Sequence, residues 1–330
     1  MKAVCVTPER ELEVRDAPAP GAPPEGHVLI EMEACAINHG DHTFLKMRSL
    51  MNMPATLHDI WGASGAGRVV AVGPGAPQNY MGKKVAIYRS ISMIHSRQTV
   101  GLWSEQAQVH YLSCLILPDH VDCRDYSGSL VNIITAYAFL RQIVDEGHRG
   151  IIATAGNSAT GRMLVELARR EGIPALAIVR SPAAQEELGR LGASHVLVAS
   201  DPAFETQFAA LAERLKATAI FEGVGGALVT RLLPLLPMNS TLYSYGFMAG
   251  PEPVSFPTVL LITKNIVMKG FSNFASPTVQ NPERLSAALT VLSGMIDHPA
   301  FRTRIGGIFP PDQIGAAMKA ETEAKSVLVP

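Results

Sequence analysis

The chain has 330 residues, of which 47 % are hydrophobic and 17 % charged, and its formal net charge is −1. That length exceeds what a single core usually supports, and that composition excludes a disordered or fibrous chain, so two globular domains are expected. Lys and Arg are scattered without a long basic run, so no nucleic-acid partner is expected, and the apolar stretch at 130–140, interrupted by Asn132, is too short to span a membrane.

The first ten residues lack the apolar core of a signal peptide, which makes a cytoplasmic protein the expectation. Cys5, Cys35, Cys114 and Cys123 include no C-x-x-C pair and read as free thiols. Alternating apolar and polar residues at 27–33, 67–72 and 85–88, separated by Gly/Pro breakers such as Gly73-Pro74-Gly75, predict a barrel-like β domain. The pattern changes near residue 124. A helix is predicted over 128–144. Strands follow at 150–154, 175–179, 195–198, 219–222, 241–245 and 266–271, with helices near 161–171, 183–191, 202–216 and 226–236. Such alternation implies an α/β fold with a doubly wound, mostly parallel sheet. Beyond Phe271, helices at 282–296 and 311–320 and the run 326–329 read as completions of the first domain. That domain is therefore expected over 1–123 and 272–330, with a nucleotide-binding domain over 124–271 inserted into it.

The segment 153–161, Ala-Thr-Ala-Gly-Asn-Ser-Ala-Thr-Gly, joins a predicted strand to a predicted helix. Gly156, Ser158 and Gly161 stand at the three positions of G-x-G-x-x-G. They serve a tight turn, a close approach to pyrophosphate and close helix–strand packing, with small Ser in the middle role. Gly156, Asn157, Ser158, Ala159, Thr160 and Gly161 are the candidate phosphate-binding residues. The next strand ends in Val179-Arg180-Ser181, without the carboxylate that bonds a ribose 2′-hydroxyl. Arg180 with the Ser181 hydroxyl suits a 2′-phosphate, so NADPH is the expected cofactor.

Several pieces in order carry a family resemblance. They are the opening Met-Lys-Ala-Val, Ala36-Ile37-Asn38-His39-Gly40-Asp41, the glycine- and valine-rich 65–73, Thr135-Ala136-Tyr137, the phosphate turn, Leu191-Gly192-Ala193, Gly223-Val224-Gly225-Gly226 and Lys325-Ser326-Val327-Leu328. Through them the chain resembles, nearly end to end, the zinc-independent medium-chain dehydrogenase/reductases, the quinone oxidoreductase and enoyl reductase group. The resemblance implies a Rossmann-type sheet inserted into a GroES-like barrel. It also implies that Asn38 and Asp41 line the catalytic cleft, that Thr135 lies against the nicotinamide, and that loops at Gly223, Val224, Gly225 and at Tyr245, Gly246, Phe247 flank its ribose, with Lys325 near the cofactor. Zinc-dependent relatives carry Cys where this chain has Asn38 and His-Glu where it has Ala63-Ser64, so no metal is expected.

Without a metal to stabilise a localised alkoxide, hydride transfer favours acceptors that delocalise charge themselves, namely quinones and alkenes conjugated to a carbonyl. The resemblance implies a small-molecule substrate of that kind. An enoyl thioester reductase and a non-catalytic NADPH-binding protein are the alternatives. The proton-donating Tyr of enoyl thioester reductases has no counterpart: Ser49 falls at its place and no Tyr precedes Tyr80. His42 and Tyr88 are the candidate acids. Met47, Met51 and Met53, with Trp61 and Trp103, are candidates to roof an apolar pocket. The family implies a homodimer joined through the strand from Ile266 to Phe271.

Overall fold

The structure, a computed structural model, describes residues 1–46, 56–91, 100–320 and 324–330. Ser49 and the methionines at 47, 51 and 53 lie outside the described residues. Two compact units are present, one formed by Met1–Asn132 with Gln280–Pro330, the other by Ile133–Val279. Both divisions fall later in the chain than those read from the sequence, the first because the helix Ser129–Asp145 begins in the first unit and continues into the second.

The first unit opens with β1 (Lys2–Val6), β2 (Leu12–Asp16), β3 (His27–Ala36), β4 (Ser64–Val72), β5 (Lys84–Tyr88), β6 (Gln106–His110) and β7 (Cys114–Ile116). The second unit holds β8 (Gly150–Ala153), β9 (Ala175–Val179), β10 (His195–Val198), β11 (Ala217–Glu222), β12 (Thr241–Ser244) and β13 (Val267–Gly270). The chain then returns to the first unit with β14 (Ile305–Phe309) and β15 (Lys325–Leu328).

In the first unit β1 and β2 form an antiparallel pair, and a larger sheet runs β14-β15-β3-β4-β5-β7, with β6 also on β3. Strand β3 is its spine. From Val28 to Glu33 it alternates buried with more exposed residues, as its sequence pattern demands, and then becomes wholly buried at Ala34-Cys35-Ala36. There it pairs with β15 as well as β4, and small side chains let neighbours close over both faces. Val28, Ile30, Val69, Val85, Ile87 and Trp103 fill the core of this unit. Strand β4 starts at Ser64, earlier than its alternation suggests, because Gly65 and Gly67 lie against strand β3 with no room for a side chain.

The second unit is a parallel sheet in the order β10-β9-β8-β11-β12-β13. Helices Ala159–Arg170, Pro182–Arg190, Phe204–Arg214 and Gly226–Leu232 follow β8, β9, β10 and β11 in turn. Ile152, Leu176, Ile178, Phe204, Phe208 and Ile220 are among its core residues. Strand order reverses between β8 and β11, so a crevice for a ligand is expected beyond their carboxyl ends. At the far edge all four residues of β13 are exposed. Among the described residues no helix is long and apolar enough to cross a membrane.

Candidate active site

In the second unit the turn after β8 is built from backbone. Ser158 is the N-cap of helix Ala159–Arg170, its hydroxyl accepting from Gly161 N at 3.1 Å. A Cβ on Gly161 would stand 2.3 Å from the Ala155 carbonyl oxygen and 2.6 Å from that of Gly156, and one on Gly156 would meet the Ala177 Cβ at 2.9 Å. Only glycine allows the helix start and the strand end to approach this closely. The resulting cradle, with the N-terminal N–H groups of a twelve-residue helix above it, fits the pyrophosphate of a dinucleotide. Ala159 and Thr160 form the first helical turn. Asn157 donates from Nδ2 to Glu187 Oε2 at 3.0 Å, tying the turn to helix Pro182–Arg190. Arg180 is exposed just beyond β9, and Ser181 caps the following helix by accepting from Ala184 N at 3.3 Å.

The opposite lip of the crevice is the end of β11, and sequence reasoning overlooked its key residue. Glu222 is buried, and its Oε1 accepts from Val224 N at 2.6 Å, Gly225 N at 2.9 Å and Thr154 Oγ1 at 3.1 Å. Thr154 Oγ1 in turn accepts from Gly223 N at 2.9 Å. The loop 223–225 is thus wrapped around one carboxylate oxygen. Gly225 has φ +83°, which its missing Cβ permits. The loop after β12 is laced to it: Tyr245 N donates to the Glu222 carbonyl at 2.8 Å and Met248 N to the Gly223 carbonyl at 3.0 Å. Tyr245 stacks on Phe221 with centroids 3.8 Å apart and shares a hydrogen bond with Ser158. Gly246 packs against Gly223, while Phe247 is exposed. Thr135 accepts from Asn273 Nδ2 at 2.9 Å. A carboxylate directly before a glycine loop at a strand end was the signal available for Glu222.

The first unit carries a different kind of cluster. Asn38 and Asp41 are 8 % and 2 % exposed, directly after β3 and in the first turn of helix His39–Lys46. Asp41 Oδ2 accepts from Asn38 N at 2.8 Å and from Asn38 Nδ2 at 3.1 Å, and its Oδ1 accepts from Ala63 N at 3.1 Å. Asn38 Nδ2 also donates to Ser64 Oγ at 2.8 Å, and Lys325 Nζ donates to Asn38 Oδ1 at 2.7 Å. Burial pushes the Asp41 carboxyl above its ordinary range, against the opposing pull of the Asn38 N–H groups, Arg89 and Lys325. Half-buried His42 is pushed below 6.5 by burial, although the Asp41 charge acts the other way. Tyr88, buried at the end of β5, pairs in register with Ser64, so the two side chains share a sheet face. The structure therefore groups Asn38, Asp41 and Lys325 directly, brings Tyr88 to their sheet face, and adds Ser64 and Arg89. Lys325 belongs to this cluster within the first unit.

A parallel sheet of this order with a phosphate cradle at its switch point, in a chain whose other unit carries a buried amide–carboxylate pair held by a lysine, is the material of a nicotinamide-dinucleotide oxidoreductase. The sequence matches the families described as "Zinc-binding dehydrogenase" over residues 159–291 and "Alcohol dehydrogenase GroES-like domain" over residues 24–119. The chain belongs to the medium-chain dehydrogenase/reductases, in the quinone oxidoreductase and enoyl reductase group. It is 28 % identical over 250 residues to a mitochondrial enoyl-[acyl-carrier-protein] reductase of Dictyostelium discoideum, a match covering 74 % of this chain and 68 % of that one. Its fold is similar to that of a mycobacterial quinone oxidoreductase, with TM-score 0.76, 24 % identity and 100 % of both chains covered. It is equally similar to a mycobacterial protein complexed with NADPH, with TM-score 0.76, 23 % identity and 100 % of both chains covered.

One of those family descriptions names zinc, and the cluster does not fit it. The Asn38 carbonyl oxygen accepts from an ammonium group, and both Asp41 oxygens accept from backbone N–H groups. Among the described residues no group of three or more His, Cys, Asp or Glu is placed to hold a metal ion.

Proposed function

We propose that this oxidoreductase uses NADPH to reduce a quinone or an alkene conjugated to a carbonyl group. The observation that carries the reading is the strand end after β9, where Arg180 and Ser181 stand in place of a carboxylate, next to the glycine cradle. Bound there, the cofactor would supply a hydride equivalent. The protein's share is binding and polarisation. The cradle orients the pyrophosphate through backbone N–H groups, and Arg180 pairs with the 2′-phosphate. The Lys325 ammonium, oriented by its bond to the Asn38 carbonyl oxygen, supplies an N–H donor suited to an acceptor carbonyl oxygen on which charge develops. Of the two acids read from the sequence, Tyr88 has its hydroxyl-bearing side chain on the sheet face of Ser64, which bonds Asn38. His42, pushed down by burial, is uncharged at neutral pH. We assign the proton delivered to the α-carbon to Tyr88.

The enoyl thioester reading is favoured by the relatives of that name. One experiment separates the readings: oxidation of NADPH and NADH followed at 340 nm with a quinone, an enone and an enoyl thioester, for wild type and Arg180→Ala. Turnover with quinone or enone is expected, with kcat/KM for NADPH falling about tenfold or more in the variant and that for NADH little changed. Thioester-only turnover selects the second reading, equal loss with both nucleotides removes the 2′-phosphate role, and no turnover with any acceptor leaves a non-catalytic binder. The exposed edge β13, with Val267, Met268 and the neighbouring Ile262 exposed, supports a homodimer through this strand. Sedimentation showing only monomer at micromolar concentration would remove that assignment.

A further inference from the structure

Arg89, just beyond β5, is only 4 % exposed. Its guanidinium is weakly held. Nη1 donates to the Val100 carbonyl at 3.5 Å, and Nε is buried with no hydrogen-bond partner. The Asp41 charge acts on it, but among the described residues the two form no ion pair. The guanidinium carbon lies 5.8 Å from the centroid of the Trp61 ring. The Trp61 indole N–H is itself buried without an acceptor, and so is that of Trp103. These rings are 5 % and 2 % exposed, and Trp103 N donates to the Trp61 carbonyl at 3.0 Å. The pyrrole edge of Trp103 presses on Gly62, where a Cβ would stand 2.5 Å from Nε1. Gly62 precedes Ala63, whose N–H binds Asp41.

Three buried donors without acceptors, one of them charged, thus lie along the segment from Trp61 to Ala63, with Arg89 beside Trp61, Trp103 against Gly62 and Ala63 bonded to Asp41. Orphaned buried donors are uncommon in folded proteins, because each forfeits its bonds to water with no replacement. Guanidinium and indole groups donate and cannot accept, so their complement is a group that only accepts. A carboxylate does so and also answers the charge of a planar guanidinium, which a neutral carbonyl does not.

We propose that Arg89, with the indole N–H groups of Trp61 and Trp103, recognises a carboxylate, and that the acceptor of this enzyme is a conjugated carbonyl compound bearing a free carboxylate. The second half rests on the oxidoreductase reading above; the first does not. For an alkene acceptor the chemistry balances as one hydride from NADPH to one alkene carbon and one proton to the other. The π bond is lost and NADP⁺ is released.

The test compares trans-4-oxopent-2-enoate with its methyl ester, which differ in the carboxylate. The chain has two tryptophans, Trp61 and Trp103, so intrinsic fluorescence reports on this patch without turnover. Wild-type protein is expected to bind the acid about tenfold or more tightly than the ester, with a matching preference in kcat/KM with NADPH. Arg89→Gln should bring the acid-to-ester ratio to about one, Arg89→Lys should restore part of it, and Trp103→Phe, which keeps a ring and removes one donor, should lower it by a few-fold. Should Arg89→Gln fail to fold, as its melting curve would reveal, the other two variants decide. Equal binding of acid and ester by wild type, or a loss shared equally by both in the variants, overturns the proposal. Selective acid binding without NADPH consumption upholds the carboxylate site and overturns the reduction reading alone.

Discussion

The phosphate turn of the second unit and the Asn38 cluster of the first are made of different material. The turn depends on main chain: its decisive features are N–H groups and two positions where a single added carbon would collide with carbonyl oxygens. The cluster depends on side chains from residues 38, 41, 64 and 325, held together by hydrogen bonds across three segments of sequence. The first kind of site tolerates many side chains and fails when the backbone is displaced. The second tolerates none of its members changing character, because each buried group satisfies another.

The comparison is broken most severely at Gly161. Gly161→Val places side-chain atoms where the Ala155 and Gly156 carbonyls lie, so NADPH affinity should fall at least about 1,000-fold, or about 4 kcal/mol, by fluorescence or calorimetric titration. Retained affinity would show that the turn is not backbone-limited. On the other side, Asp41→Ala strips acceptors from two backbone N–H groups and the Asn38 amide. A loss of about 3 kcal/mol in urea unfolding is expected, and a loss below about 1 kcal/mol would mean that the cluster is not mutually dependent.

The smallest effect sharpens the same contrast through pH. The His42 pKa in the folded protein is lowered from 6.5 by burial, so its contribution to stability is present above pH 6.5 and is lost as pH falls through the lowered value. His42→Gln removes that loss. Melting temperatures of variant and wild type should converge or cross by on the order of 1 °C between pH 7 and pH 5, a modest shift because the ring is half exposed. Parallel curves would place His42 outside the cluster's electrostatics.

Legibility in the sequence follows this division of material. The strand–helix alternation from 150 to 270 and the spacing of Gly156, Ser158 and Gly161 are local patterns, and the elements lie within a few residues of where periodicity puts them. Strand β4 begins earlier than its alternation because a run of Ser, Gly and Ala has no hydrophobic period to read. Ser64, Arg89 and Glu222 escape for another reason. Ser64 and Arg89 are ordinary in their own neighbourhoods and acquire meaning from Asn38 and Trp61, which are distant in sequence, whereas Glu222 binds Val224 and Gly225 beside it and shows its full role only once Thr154 is folded against it. Asn38 and Lys325 were reached through family likeness, and their hydrogen bond across 287 residues was visible only in three dimensions.

That long-range bond also dictates an order of events during synthesis. Strand β15 completes the sheet beside β3, and Lys325 reaches Asn38 from its first position. The second unit uses no residue beyond Val279. A growing chain can therefore finish its glycine cradle while the Asn38 cluster still lacks its lysine. The hydrogen bond that joins the two ends of the first unit must wait until Lys325 has left the ribosome.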